Sequence, residues 1–343
     1  MSCFNFSTCA FGNDSLYIVS SIDESLYQMS LDSFKPNLIT DDPNFVSDKN
    51  DLAHKIYFQD NNIVKWCVGS KTGYIKIHNL LEHCTEEVQL FEGKKTIIIP
   101  NKNKIVALCL ENGMIKEYDL SENRISYLSE NASHDICNIK VNPVFYYATD
   151  NMGYAYFLSS NPNCIYKFDI DNKRFENEYV PQIHGNIELI SCEADTLYFY
   201  TNQGDIYVLE KGTMKCIAEG VGQGEWMFSS ILPTSGKLVL IPYKGKDIII
   251  IDKFNGSVSA YKDVPQNIAF QNDNYIFFDV CTDENTYYVS MPTTNYYIKV
   301  SYDGMITWHQ PNIKKSDLIS IMLKNNILTE NKEIDLMAFI SNI

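Results

Sequence analysis

Four residues carry side chains suited to recognising a ligand: His134, His184, Glu225 and Trp226. An imidazole donates or accepts a hydrogen bond near neutral pH, a carboxylate accepts, and an indole offers a flat apolar face with one N–H. Trp226 and Glu225 follow the glycine-rich run Gly220-Val221-Gly222-Gln223-Gly224. An indole beside a carboxylate on such a loop suits stacking on a sugar ring or anchoring a peptide; packing between neighbouring elements is the other use of the same indole.

Other chemistries lack their residue patterns. The six histidines (His54, His78, His83, His134, His184, His309) never fall in a His-Glu-x-x-His or His-x-His arrangement, and His78, His83 and Cys84 have no recognised zinc spacing. No metal site is expected. A Gly-x-Ser-x-Gly elbow and a Walker-type phosphate loop are both missing, and the glycine-rich run leads into a strand rather than a helix N-terminus. No cofactor is expected.

The four candidates need elements to position them, and a repeat supplies these. An apolar residue, a short alternating strand and a small polar or acidic residue recur in Leu26-Tyr27-Gln28-Met29-Ser30, Ile75-Lys76-Ile77-His78-Asn79, Ile115-Lys116-Glu117-Tyr118-Asp119 and Ile165-Tyr166-Lys167-Phe168-Asp169. Ile206-Tyr207-Val208-Leu209-Glu210, Ile248-Ile249-Ile250-Ile251-Asp252 and Tyr297-Ile298-Lys299-Val300-Ser301 continue the series. Successive copies start 49, 40, 50, 41, 42 and 49 residues apart, the period of a propeller blade, and their alternation is that of strands. Apolar runs such as Leu16-Tyr17-Ile18-Val19 and Leu238-Val239-Leu240-Ile241 precede the copies, with turn-formers such as Asn112-Gly113 and Thr72-Gly73 in between. More polar runs follow, as suits an outer edge strand, and inner strands such as Thr96-Ile97-Ile98-Ile99 open the units.

The expectation is an all-β chain: a β-propeller of seven four-stranded antiparallel blades over residues 1–310. Asp135 to Ser160 and Pro43 to Asp60 resist registration, which leaves six or eight blades open. After Pro311 the spacing of Leu318, Ile319, Met322 and Leu323 turns helical, so 311–343 is expected to form a helical tail packed on the propeller. In a propeller the connections between blades end beside the central channel, so His134, His184, Glu225 and Trp226 are expected to share one mouth.

The hairpins resemble the broad class of bacterial β-propellers with WD40-like, kelch-like and quinoprotein-like repeats, over roughly residues 4–310. The Trp-Asp ending, the paired glycines and the tryptophan docking motif of those three repeats are absent, so no named family's function carries over.

Composition narrows the partners. Of 343 residues 45% are hydrophobic and 21% charged, enough to bury a sizeable core, and Tyr 23 and Phe 18 favour strands. Lys+Arg 28 against Asp+Glu 43 gives a net charge of −15, which repels phosphate backbones and anionic lipid, so neither nucleic acid nor membrane is an expected partner. The ten scattered cysteines read as reduced thiols, and the N-terminus has no signal-peptide pattern, which implies a cytoplasmic protein. Two function classes follow. One is a non-catalytic binding or protein-interaction scaffold whose face takes a protein segment, a glycan or another polar small molecule. The other is a propeller lyase or hydrolase acting on such a molecule with a converged acid–base pair. The binding class is preferred, because it asks only for groups already visible.

Overall fold

The computed structural model describes residues 6–312 apart from 21–24, 47–53, 69–72, 130–138, 140–146, 151, 160–163, 180, 223–226, 244–246, 266–278, 284 and 291–295. Among these residues the chain forms seven sheets, each of four consecutive antiparallel strands. The strands are numbered β1 to β28 along the chain, and the blades span 6–40, 54–89, 96–129, 148–179, 187–218, 228–260 and 280–309. The protein is a seven-bladed β-propeller. Of the two stretches that resist registration, one holds a helical turn, Pro43–Val46, ahead of β5 (His54–Gln59). The other holds β13 (Ala148–Thr149) and β14 (Tyr154–Leu158), with an isolated bridge between Ile139 and Ser159. The expected helical tail falls at 313–343, outside the described residues.

Each repeat segment is the third strand of its blade, from β3 (Leu26–Ser30) to β27 (Tyr297–Ser301). Its final polar residue makes the turn to the fourth strand. Asn79 Oδ1 accepts the N–H groups of Leu81 and Glu82 at 2.9 Å each, and Asp119 Oδ1 accepts those of Ser121 and Glu122 at 2.9 and 3.1 Å. Asp252 Oδ1 does the same for Phe254 and Asn255. A short acceptor side chain at that position mimics a backbone turn, which is why six of the seven copies end on Asn, Asp or Ser, Glu210 being the exception.

Packing follows from the two-residue period of a strand. In β10 (Lys104–Cys109), Val106 and Leu108 join a core with Phe157 and Phe168 of the fourth blade, while Ile105 and Ala107 join one with Val64 and Ile77 of the second. Both faces of a second strand are therefore apolar, and the alternation gives way to a continuous apolar run. The interior is accordingly divided into seven apolar wedges, one between each pair of neighbouring blades. Outer strands such as β24 (Val258–Ala260) stay exposed along their length.

The seventh wedge closes the ring between blades 7 and 1, combining Leu16, Ile18, Tyr27 and Met29 with Tyr288 and Tyr297. No strand is exchanged across this seam among the described residues, since every sheet takes four consecutive strands. Three other contacts secure it, at increasing distance from the axis. Near the channel the carboxylate of Asp279, 5% exposed, accepts the Thr8 hydroxyl and the Cys9 N–H and pairs with Lys55. Further out, the rings of Phe11 and Tyr288 stack with centroids 5.6 Å apart. Beyond these Phe34 stacks on His309, and the Asn312 N–H donates to Phe34 O. Between blades 3 and 4 one polar link is Glu117, whose carboxylate lies 2.8 Å from Lys104 Nζ and 2.7 Å from Lys173 Nζ. Burial opposes its charge, but the two lysines overcome this and hold Glu117 below the ordinary carboxyl range.

Three outcomes follow. A chain ending at Tyr179, after four blades, leaves two wedges half covered and should show no cooperative thermal transition by calorimetry. Asp279→Ala strands Thr8 Oγ1, the Cys9 N–H and Lys55, and should lower unfolding free energy by about 3 kcal/mol in urea titration. The depressed pKa of Glu117 supplies stability that is present above its unfolded value and lost as pH falls through the folded one. Glu117→Gln should therefore cost about 1 kcal/mol at neutral pH and nothing once the wild-type carboxylate is protonated, read as converging melting temperatures below about pH 4.

Candidate functional site

The first strand of every blade lines the central channel. Two adjoining cavities lie along it and share Tyr147, Thr149, Val280 and Thr282. The smaller, about 380 Å³, is walled by β1 (Phe6–Gly12), β5 and the start of β25 (Val280–Thr282), with Asp279 and Lys55 on its surface. The larger, about 900 Å³, is walled by β13, β17 (Ile187–Glu193), β21 (Phe228–Pro233) and β25. Both volumes fall in the range of ligand sites.

The larger cavity has a recurring local build. A carboxylate stands at the end of the first strand or in the turn after it, and a tyrosine on the second strand donates to it. Tyr156 OH donates to Asp150 Oδ2 at 2.9 Å, Tyr198 OH to Glu193 Oε2 at 3.2 Å, and Tyr288 OH to Asp283 Oδ2 at 2.9 Å. The backbone joins in: Asp150 Oδ1 accepts the N–H of Met152 and of Tyr154, and Asp283 Oδ1 that of Asn285. Glu193 is shared more widely, because Lys253 of the sixth blade pairs with it and Tyr302 of the seventh donates to its Oε1 at 3.0 Å. Tyr287 completes the wall by donating to Pro233 O at 2.8 Å. Burial first, and the neighbouring carboxylates second, raise Tyr156, Tyr198 and Tyr288 above the ordinary phenol value. These hydroxyls remain protonated donors at neutral pH. The cavity itself presents the rings of Tyr147, Tyr287 and Tyr302 beside the engaged carboxylates of Asp150, Glu193 and Asp283, groups that give a ligand a fixed surface to rest on.

Of the residues expected at one mouth, His184 alone is described. It is exposed on the connection into β17, and its backbone N–H donates to Tyr207 OH at 3.3 Å. His134, Glu225 and Trp226 lie outside the described residues. His184 lines neither cavity: it precedes the N-terminal end of β17, whereas the larger cavity runs to the C-terminal end at Glu193. Sequence reasoning passed over Asp279, Lys55, Glu193, Tyr287 and Tyr302. The carboxylate-to-tyrosine spacing of five or six residues in Asp150–Tyr156, Glu193–Tyr198 and Asp283–Tyr288 is a signal that could have flagged the turn face. Asp279 has no comparable signal, since its partner Thr8 is 271 residues away.

Among the described residues no group of three or more His, Cys, Asp or Glu side chains is placed to hold a metal ion, and no helix is long and apolar enough to cross a membrane. No protein-family model matches the sequence, and no curated protein matches it. Solved structures do. A virginiamycin B lyase from Staphylococcus aureus aligns with a TM-score of 0.60 at 12% identity, over 85% of this chain and 93% of that one. KlAtg21, solved in complex with the coiled coil of AgAtg16, aligns with a TM-score of 0.57 at 16% identity, over 89% and 98%. Hsv2 of Kluyveromyces lactis aligns with a TM-score of 0.55 at 11% identity, over 90% and 98%. At these identities the likeness establishes the propeller fold alone, and the propellers it groups together include both a lyase and a protein-binding scaffold.

Proposed function

We propose that this protein is a non-catalytic binding module that holds a polar small molecule or a protein segment at the wide, tyrosine-lined end of its channel. The observation carrying this reading is the engagement of the acidic groups there. Asp150, Glu193 and Asp283 each accept a tyrosine hydroxyl, and Glu193 also holds Lys253. Groups tied into such pairs fix a surface for recognition, while acid–base catalysis asks for a group poised to exchange its proton with substrate. Tyr287 and Tyr302 supply stacking area beside them. The opposite mouth is proposed as a second contact, where His184, His134, Glu225 and Trp226 meet the end of a longer ligand, Trp226 through apolar area and Glu225 as an acceptor. The eight cysteines among the described residues are free thiols, which supports the cytoplasm as the proposed compartment.

The reading is tested with a panel of short peptides, oligosaccharides and polar metabolites, screened by thermal shift and followed by mass spectrometry of the recovered ligand. A hit should raise the melting temperature and return chemically unchanged. Tyr302→Ala should weaken it by about 2 kcal/mol, a roughly thirty-fold loss of affinity. Conversion of the hit at a protein-dependent rate would make the protein an enzyme, and affinity untouched by both Tyr302→Ala and Trp226→Ala would put the site elsewhere.

A further inference from the structure

Two thiols meet at the seam that closes the ring. Cys9 belongs to β1 in the first blade and Cys281 to β25 in the last, and both are free. Three observations fix their approach. Cys9 Sγ lies 3.7 Å from Tyr288 O, and Tyr288 is the cross-strand partner of Cys281. Cys9 Sγ is also 4.0 Å from the carbonyl of Asp279, two residues before Cys281. Finally, β1 and β25 pack side by side across the seam. Both cysteines line the 380 Å³ cavity.

We propose that Cys9 and Cys281 form a reversible disulfide that locks the first blade to the last. A low-molecular-weight disulfide of the glutathione type is the oxidant. One protein thiol loses its proton and attacks a sulfur of that disulfide, releasing one glutathione thiolate and leaving a mixed disulfide. The second protein thiol then loses its proton and attacks the protein-side sulfur, releasing the second thiolate. The protein loses two hydrogens and gains one S–S bond; the glutathione disulfide is reduced to two thiols. The groups facing Cys281 are Cys9, Asp279 and Lys55. Burial foremost, then the neighbouring Cys9 thiol and Asp279, push its thiol well above the ordinary value, against a smaller opposing effect of Lys55. Closure is therefore slow at neutral pH and accelerates as pH rises. The benefit lies in the topology: the bond would enclose nearly the whole ring in one loop, at the seam where no strand is exchanged.

The test incubates the full chain with glutathione disulfide at mildly alkaline pH, then measures intact mass, maps peptides and records melting with and without dithiothreitol. The expected result is a loss of two hydrogens, a Cys9–Cys281 cross-linked peptide, and a melting temperature about 5 °C higher that returns to the starting value on reduction. Cys281→Ser and Cys9→Ser should each abolish the cross-link and the rise; if either serine variant fails to fold, the wild-type peptide map and melting pair decide alone. The proposal is overturned if Cys9 and Cys281 stay thiols while exposed Cys84 is glutathionylated, if either links to another cysteine, or if the cross-linked protein melts no higher than the reduced one.

Discussion

A strand shows side chains on both sides of its sheet, and here both sides are apolar. That constraint governs the rest of the molecule. Ile105 and Val106 are adjacent in sequence yet belong to different cores, one shared with the second blade and one with the fourth. Such a blade cannot rest against water on either face, so it requires two neighbours, and the last blade must return to the first. Closure falls to Asp279, a buried carboxylate that gathers Thr8, Cys9 and Lys55 from two other blades. A charge in that position is tolerated because its oxygens are already occupied.

The blades were largely legible in the sequence because their determinants are local. The third strands could be registered from a five-residue pattern whose last member, Asn79, Asp119 or Asp252, makes its turn with N–H groups two and three residues on. The second strands were visible as continuous apolar runs. First strands were harder. β13 is two residues long and β25 three, too short to show a period, and both pack against the first strand of a neighbouring blade.

The site was less legible for the same reason. Expected site residues were sought on the connections between blades, where His184 indeed sits exposed, but the cavity walls run to the turn end of the first strands. The groups there, Glu193 with Lys253 and Tyr302 above all, come from three blades and have meaning only once the ring is closed. No property of Tyr302 as a residue on a hairpin announces that it will reach a glutamate 109 positions away. Glu193 binds its neighbours as firmly as it faces the cavity, so the same side chain that shapes the recess also fastens blades 5, 6 and 7 together.

Closure of the ring between its first and last blades imposes an order in time. Within the ring, the side of the first blade that carries Leu16, Ile18 and Met29 is synthesised first, and its cover, Tyr288 and Tyr297, is among the last to follow. Throughout synthesis of the intervening blades that surface is bare, open to other chains as much as to its own partner. The nascent protein therefore has an adhesive flank whose exposure ends only when the seventh blade emerges, and the speed of translation through blades 2 to 6 sets how long that exposure lasts.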